Sequence, residues 1–232
     1  MKIIKSNVLY LRDVYLAYLI DGAQKSSPDG FPIIEKWMVA DAPPEHLYQW
    51  DRRKDCKDFS KSGMSFYCVD YKLTPILNNP KNYVDKLKKY NCIIGMDASP
   101  YDNMWPIIQD HQIFLNLAIT YYFGKQGLKI VPNVRLGSDR TISSLSAYPK
   151  ETLISVGTNG FIHELKNREI YKRQISIIVE VLKPTGIIVY GPAPEYVFEK
   201  AIESKIPIYQ YDSYNMKRYK NKKVEGKHNE GR

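Results

Sequence analysis

Residues 151–191 read ETLISVGTNGFIHELKNREIYKRQISIIVEVLKPTGIIVYG, and this stretch decides the fold. Its first apolar run, Leu153 to Val156, and its last, Gly186 to Val189, are short and end beside glycine or tyrosine-glycine. Between them, apolar side chains recur at helical spacing from Glu164 to Leu182. A strand, a helix and a second strand in this order form a unit in which the helix crosses over and the strands are parallel.

The same alternation of strand and helix extends on both sides of this unit. Apolar runs that predict further strands are Phe66 to Val69, Cys92 to Met96, Leu128 to Val131 and Ile206 to Tyr211. Helices are predicted over Pro80 to Tyr90, Pro106 to Phe123 and Pro194 to Ser204, whereas Gly137 to Tyr148 is predicted to be a loop. The fold class is therefore α/β, with repeated βα units forming a mainly parallel sheet. A partial or distorted (β/α) barrel is favoured, and an open doubly wound sheet is the alternative.

The chain divides into three parts by composition. Residues 1–64 lack the βα alternation and are predicted to be an N-terminal elaboration packed on the main unit, which is an α/β core domain over residues 65–214. Residues 215–232 carry seven basic and two acidic side chains, so they hold +5 of the net charge of +9. They lack apolar periodicity and are predicted to be a disordered basic tail.

Composition excludes several classes of protein. With 44% apolar residues, the chain can bury a substantial core. The longest apolar helix candidate, Ile113 to Phe123, is too short to cross a bilayer, so we expect a cytoplasmic protein without a membrane partner. The three cysteines, Cys56, Cys68 and Cys92, form no metal-binding pattern with the histidines and predict reduced structural thiols. The sequence predicts no metal site, and it indicates no cofactor and no oligomeric state.

The tails of the predicted strands hold the candidate catalytic residues. Because the carboxyl ends of parallel strands meet at one edge, polar side chains there are expected to share a site. Asp97 and Asp102 flank Ser99, which is a candidate for substrate binding, and Asp212 follows the last strand. Strand-end carboxylates serve as general bases, metal ligands or acceptors for a substrate hydroxyl. The alternative is that these residues form turns or cap the next helix.

The residues that follow two further predicted strands indicate contacts to an anion. Asn133 and Arg135 alternate with Val134, so they lie on one face, where Arg135 suits a phosphate or carboxylate or else pairs with Asp97 or Asp212. The turn Gly157-Thr158-Asn159-Gly160 precedes a helix, as phosphate-binding turns do, although glycines at such turns often serve geometry alone. Thr158, Asn159 and the strand-end Tyr190 are candidate substrate-binding residues.

Several of these motifs, in order, resemble a family of bacterial and phage proteins, domain of unknown function 4417. The motifs are Phe66 to Tyr71, Asn78 to Tyr83, Asp97-Ala98-Ser99 with Asp102 and Pro106, Gln126-Gly127, Val131 to Arg135, Gly157 to Gly160, and Ile188 to Gly191. The resemblance covers about residues 65–213 and implies a single-domain protein of a prophage or other mobile element, without a settled activity. Relatives show arginines in the helix before the Gln-Gly turn, and this chain has none from Phe114 to Thr120.

Two functions from different classes remain open. The first is an enzyme, a transferase or hydrolase acting on an anionic substrate such as a nucleotide or a nucleic-acid base, in a pocket at the strand carboxyl ends. The second is a non-enzymatic protein of a phage or mobile element that binds nucleic acid or a host protein through its basic tail and the lysine-rich face of residues 81–89.

Overall fold

The computed structural model describes residues 16–160, 162 and 164–219. Seven strands lie in this part of the chain: β1 (His46–Gln49), β2 (Ser62–Ser65), β3 (Cys92–Ile94), β4 (Ile130–Val131), β5 (Leu153–Gly157), β6 (Gly186–Tyr190) and β7 (Ile208–Tyr211). The α-helices are α1 (Thr74–Asn78), α2 (Val84–Leu87), α3 (Pro106–Lys125), α4 (Leu165–Leu182) and α5 (Glu199–Glu203). Short 3₁₀ helices occupy Ala17–Ile20, Lys36–Met38, Trp50–Asp55, Asp70–Lys72, Pro80–Tyr83 and Asp139–Ala147. None of the helices in these ranges is long and apolar enough to cross a membrane.

The strands are parallel and follow one another in sequence order. One sheet has the order β1-β2-β3-β4 and a second has the order β5-β6-β7. A parallel bridge between Asn133 and Ser155 connects the end of the first sheet to the start of the second. The α/β class with a parallel sheet is therefore confirmed, and strands that pair in sequence order are typical of barrels rather than of doubly wound sheets.

Alternating side chains of the strands form two separate apolar layers. Apolar residues at alternate strand positions, such as Leu47, Ile94, Val131, Leu153 and Ile188, belong to one buried cluster. The residues between them, such as Ile93, Ile154, Val156 and Ile187, belong to a larger cluster that also contains the apolar faces of α3 and α4. Because side chains of a strand alternate between faces, this division marks an inner and an outer surface, as in a barrel.

Side chains rather than a strand ladder connect the first and last strands. In the part of the chain that the structure describes, no backbone pairing joins β7 to β1. The hydroxyl of Tyr211 donates a hydrogen bond to the carbonyl of Pro44, and the hydroxyl of Tyr190 donates to Oε1 of Gln49 at 2.7 Å. The arrangement is that of a partial barrel.

Two predicted elements differ from the structure in their type or their position along the chain. Phe66 to Val69 is not a strand, because the strand that pairs with β1 and β3 is Ser62–Ser65. The sequence of Ser62–Ser65, Ser-Gly-Met-Ser, has no β-branched residue, so backbone pairing with the two neighbouring strands decides the conformation of this segment. The segment predicted as a loop from Gly137 to Tyr148 contains the 3₁₀ helix Asp139–Ala147, in which the hydroxyl of Ser144 donates to the carbonyl of Thr141 at 2.6 Å.

The first part of the chain contributes to the same sheet as the core. Strand β1 and most of β2 come from the segment that the sequence analysis assigned to an N-terminal elaboration, and both pair in register with the following strands. Residues 1–15 of that segment lie outside the described residues. At the other end, residues 214–219 are helical, and residues 220–232 of the predicted tail lie outside the described residues.

Candidate functional site

A cavity of about 560 Å³ lies at the carboxyl ends of the strands. The loops or ends of all seven strands contribute to it. One residue from each, in strand order, is Asp51, Asp70, Asp97, Arg135, Asn159, Tyr190 and Tyr214. Its volume falls within the range of sites for small molecules, about 300–1,000 Å³.

Helix α3 fixes the loop that carries Asp97. The amide of Asn116 accepts a hydrogen bond from the Ala98 backbone N–H at 2.6 Å and donates one to the Ala98 carbonyl at 2.8 Å. The hydroxyl of Thr120 accepts from the Met96 N–H at 3.0 Å. These contacts on both sides of Asp97 hold its backbone, so its carboxylate has a defined position in the cavity wall.

Asp97 and Arg135 form a buried ion pair at this edge. Nε of Arg135 lies 3.7 Å from Oδ1 of Asp97, and the Asp97 and Arg135 side chains are 8% and 21% exposed. The side-chain amide of Asn133 donates to the same oxygen at 2.9 Å. As predicted, Asn133 and Arg135 share a face, while Val134 between them is buried in the outer layer.

Burial and the charge of the partner act in opposite directions on the pKa values of Asp97 and Arg135. Burial raises the pKa of Asp97 above its usual value, although the charge of Arg135 and the hydrogen bond from Asn133 both favour the carboxylate. Burial also opposes the charge of Arg135, but Asp97 together with Tyr171, Tyr67 and Tyr101 outweighs it, so the guanidinium pKa is raised. Asp97 therefore takes up a proton more readily than an exposed aspartate, while Arg135 stays charged.

A chain of hydrogen bonds behind the pair fixes the orientation of Asn133. The hydroxyl of Tyr67 lies 2.7 Å from that of Ser155 and donates to Oδ1 of Asn133 at 2.9 Å, which leaves the Asn133 Nδ2 group to face Asp97. Burial, followed by the charge of Asp97, raises the pKa of Tyr67 well above its usual value, so this hydroxyl remains a donor. The Tyr67 ring stacks on Tyr190, with centroids 5.1 Å apart.

Gly157 is required for the position of the Tyr67 ring. A Cβ at residue 157 would lie 2.7 Å from Cε1 of Tyr67 and 2.8 Å from its Cδ1. We expect Gly157→Ala to lower the free energy of unfolding by about 2–3 kcal/mol, because the buried ring has to move. In Gly160→Ala no atom lies within 4 Å of the new Cβ, and only the positive φ of +83° adds strain, about 1 kcal/mol. Equal losses in chemical denaturation of the two variants would contradict this role of Gly157.

Asp70, another acidic residue of the cavity, binds Ser99, two residues after Asp97. Oδ1 of Asp70 accepts a hydrogen bond from the Ser99 hydroxyl at 3.2 Å, and its Oδ2 accepts from the Ser99 N–H at 3.4 Å. The negative charge of Asp70 adds to the effect of burial in raising the pKa of Asp97. Two carboxyl groups in different surroundings therefore face the same cavity.

A second ion pair lies in the loops after β1 and β2. Oδ2 of Asp51 binds the ammonium group of Lys72 at 2.5 Å. Oδ1 of Asp51 is buried and has no hydrogen-bond partner among the residues that the structure describes. The neighbouring Arg52 lies over the ring of Tyr214, 3.9 Å from its centroid. Together with the first pair, the cavity wall holds three acidic and three basic side chains, so any affinity for anions comes from local geometry and not from net charge.

The residues predicted from the sequence occupy three kinds of position. Asp97, Ser99, Arg135, Asn159 and Tyr190 line the cavity. Asn133 is buried directly behind Asp97, and Thr158 is buried with its hydroxyl donating to the Pro192 carbonyl at 2.7 Å. Asp102 lies by a small neighbouring cavity of about 50 Å³, and Asp212 is half-buried between β7 and residues 214–219; neither lines the main cavity. His163 lies outside the described residues.

Sequence reasoning missed the contributions of β1 and β2. Tyr67, Asp70, Lys72 and Asp51 line the cavity, but the sequence predicts the strand four residues late, and nothing in it marks β1 as a strand. The signal present in the sequence is Asp70, which directly follows the strand candidate Phe66 to Val69, as Asp97 follows Cys92 to Met96.

The described residues contain no group of three or more histidine, cysteine or acidic side chains arranged to hold a metal ion. All three cysteines are free thiols. Cys68 lines the cavity, and Cys56 and Cys92 are buried elsewhere.

The cavity thiol is expected to react slowly. Burial, followed by the charge of Asp51, raises the pKa of Cys68 from 9.0 to about 12. Because the thiolate is the reactive form, iodoacetamide at pH 8 should alkylate Cys68 in the folded protein at least about tenfold more slowly than in the urea-unfolded protein. Peptide mapping after timed quenching measures both rates. Equal rates would contradict the buried, neutral thiol.

Comparison with known proteins gives one family and one distant relative. The family model described as domain of unknown function (DUF4417) matches residues 26–212, which confirms the resemblance and extends it upstream to include β1 and β2. A protein named "Gene 1 protein" of Mycobacterium phage L5 is 18% identical over 154 residues, which cover 65% of this chain and 67% of that protein. No solved structure matches the chain.

Proposed function

The chain belongs to the domain of unknown function 4417 family, and we propose that this member is an enzyme that acts on an anionic, nucleotide-like substrate in the cavity at the strand carboxyl ends. The observation that carries the proposal is the buried pair of Asp97 and Arg135, which opens on that cavity. In this proposal Arg135 binds the anionic group and Asp97 is the catalytic carboxyl. Like its phage relative, the protein is encoded by a phage or another mobile element.

The guanidinium of Arg135 has N–H donors that can bind an anion. It meets Asp97 only through Nε at 3.7 Å, and it makes no hydrogen bond to another side chain within the described ranges. A guanidinium carries five N–H donors in a planar fork that matches phosphate and carboxylate. About one fifth of the side chain remains exposed, and Arg135 lines the cavity. These donors support the binding of a substrate phosphate.

Asp97 has the surroundings of a group that transfers protons. Its pKa is raised by burial, which brings its titration closer to neutral pH, where a general acid or base works best. Asn133 and the backbone contacts of α3 hold its position. Asp70, the second carboxyl of the cavity, lies in a more exposed and differently hydrogen-bonded setting, and such a difference separates the roles of paired carboxyls in many enzymes.

Aromatic side chains of the wall support a substrate with a planar ring. Tyr101, after β3, is half exposed, and Tyr214, after β7, is partly exposed. The stacked pair Tyr67 and Tyr190 lines the same cavity. Tyrosine rings stack on nucleobases, which are planar, and the cavity volume of about 560 Å³ suits a ligand of nucleotide size.

The test combines binding with conversion. The full-length protein is incubated with nucleosides, nucleoside monophosphates and nucleoside triphosphates; thermal shift reports binding, and mass spectrometry of the mixtures reports conversion. The proposal expects a phosphorylated member to bind and to be converted, with conversion lost in Asp97→Asn while binding persists. Binding without conversion by the wild type, or unchanged conversion by Asp97→Asn, would contradict the assignment of Asp97.

A second function, binding of nucleic acid without catalysis, is favoured by a different observation. Trp105 and Ile107, at the start of α3, are 80% and 71% exposed. Exposed aromatic side chains serve as stacking surfaces for single strands, and residues 215–232 add a charge of +5. Truncation after Tyr219 keeps the helical residues 214–219. If this second function holds, retention on single-stranded DNA falls with salt and is reduced by the truncation and by Trp105→Ala.

A further inference from the structure

We propose that Arg52 forms a second anion-binding position in the cavity, so that the substrate carries two separate phosphates, one on Arg52 and one on Arg135. This inference rests on the proposed function and adds the number and arrangement of the anionic groups of the substrate. Arg52 lies in the 3₁₀ helix after β1 and lines the same cavity as Arg135. It is exposed, so a ligand in the cavity has access to its side chain.

Among the described residues that line the cavity, Arg52 is the basic side chain without an acidic partner. Lys72 binds Asp51, and Arg135 pairs with Asp97. The guanidinium of Arg52 makes no ion pair and no hydrogen bond within residues 16–160, 162 and 164–219. Its five N–H donors are therefore open to an anion in the cavity.

The ring of Tyr214 holds the guanidinium of Arg52 in place. The central carbon of the guanidinium, Cζ, lies over this ring at 3.9 Å from its centroid, which is van der Waals contact. The backbone N–H of Tyr214 donates to the hydroxyl of Tyr190 at 3.2 Å, and that hydroxyl donates to Gln49 at the end of β1. A guanidinium that contacts a ring through its face keeps the donors in its plane available, and its fixed position lowers the entropy lost when an anion binds.

Arg52 and Arg135 approach the cavity from opposite sides. Arg52 follows β1 and contacts Tyr214, which follows β7, so it lies where the last strand meets the first. Arg135 follows β4. The seven strands succeed one another in sequence order, and side chains connect β7 to β1, so β4 lies opposite the junction of β7 and β1.

Two cations on opposite sides of a cavity fit a ligand with an anionic group at each end. A nucleoside 3′,5′-bisphosphate has a phosphate on each side of its sugar, whereas the two phosphates of a nucleoside 5′-diphosphate are adjacent. Each phosphate accepts charge-assisted hydrogen bonds from a guanidinium. An internal nucleotide of a single-stranded nucleic acid also has a phosphate on each side of its sugar, so the free bisphosphate and the strand present the same chemistry.

Isothermal titration of the full-length protein with AMP, ADP and adenosine 3′,5′-bisphosphate, at one salt concentration, tests this inference. We expect the bisphosphate to bind about tenfold to thirtyfold more tightly than AMP or ADP, because it adds a charge-assisted contact on the far side of the cavity. Arg52→Gln should reduce both ratios to within about threefold. Tyr214→Leu, which removes the ring but keeps the backbone N–H, should reduce them less.

Arg53→Gln is the matched control. Arg53 is exposed and lies over the ring of Trp50, 4.4 Å from its centroid, but it does not line the cavity. It loses the same charge as Arg52→Gln, and the ratios should stay unchanged. A trinucleotide of deoxyadenosine, titrated in the same way, distinguishes the two sources of the second phosphate. Tighter binding of the trinucleotide than of the bisphosphate assigns that phosphate to a strand, and weaker binding assigns it to a free ligand.

The outcomes separate this inference from the proposed function. Equal affinities of AMP and the bisphosphate for the wild type, or a preference for the bisphosphate that persists in Arg52→Gln, would overturn the inference alone, provided that AMP binds and Arg135→Gln weakens its binding. If none of the three adenosine ligands binds to the wild type, both proposals are overturned. Because the comparison of AMP with the bisphosphate uses the wild type, it decides the inference even if a variant fails to fold.

Discussion

Arg135→Gln is expected to weaken the binding of a nucleoside monophosphate by about a hundredfold or more. The substitution removes the guanidinium fork and its charge from the cavity wall, and a bidentate, charge-assisted contact contributes about 3 kcal/mol. Glutamine keeps much of the side-chain length, so the cavity remains similar in shape. Isothermal titration with the tightest monophosphate measures the change.

Arg140→Gln is the matched control for this measurement. Arg140 pairs with Asp110 on the surface and does not line the cavity. It loses the same charge, so a general effect of net charge on nucleotide affinity would appear equally in both variants. Similar weakening by the two substitutions would contradict a specific role for Arg135.

Asp97→Ala is expected to lower the free energy of unfolding by about 1–3 kcal/mol, because it removes the oxygen that the buried Asn133 amide and the Arg135 guanidinium contact, an oxygen that a protonated Asp97 keeps. The Asp97 side chain is 8% exposed and that of Arg135 is 21% exposed, so water cannot replace the lost partner fully. Asp110→Ala breaks the pair with the exposed Arg140 and should cost about 0–1 kcal/mol. Chemical denaturation of both variants gives the comparison, and equal losses would show that Asp97 and Arg135 do not form a buried pair.

The same pair predicts a dependence of stability on pH. The pKa of Asp97 is raised in the folded protein from a value of 3.8, so Asp97 binds its proton more tightly when folded than when unfolded. Its contribution to stability is therefore fully present below pH 3.8 and is lost as the pH rises through the folded pKa. Relative to Asp97→Asn, which does not titrate, the wild type should lose stability over this range. A constant difference between the two proteins would contradict the raised pKa.

The sequence predicts strands and helices well where apolar runs are continuous. Strands β3, β5 and β6 are short runs of buried aliphatic residues, and α4 has a clear helical period. The predicted bounds of these elements therefore lie within a few residues of the observed ones. Helix α5 is shorter than predicted, because the residues after Pro194 form turns before Glu199. Asp97, Ser99, Arg135, Asn159 and Tyr190 were predicted to share one edge, and they line one cavity because parallel strands bring their carboxyl ends together.

There is a physical reason why the sequence does not reveal the part of the cavity that follows β1 and β2. Strand β1 reads His-Leu-Tyr-Gln and β2 reads Ser-Gly-Met-Ser, and neither contains a run of β-branched residues. Gly63 of β2 faces inward, where a Cβ would lie 2.8 Å from Cγ of Pro44. Because Pro44 packs directly against this glycine, β2 lacks the inward apolar side chain from which a strand is predicted in a sequence. Without these strands, Asp51, Asp70 and Lys72 could not be placed at the sheet edge. Thr158 was placed correctly along the chain, but its hydroxyl turns to the Pro192 carbonyl, a contact that the sequence does not reveal.

A crystal structure of the full-length protein with AMP tests the central claim most directly. The account predicts a nucleotide in the cavity at the strand carboxyl ends, with its phosphate on the guanidinium of Arg135. Nucleotide bound only outside this cavity, or a cavity that holds only water at a saturating concentration of AMP, would contradict it.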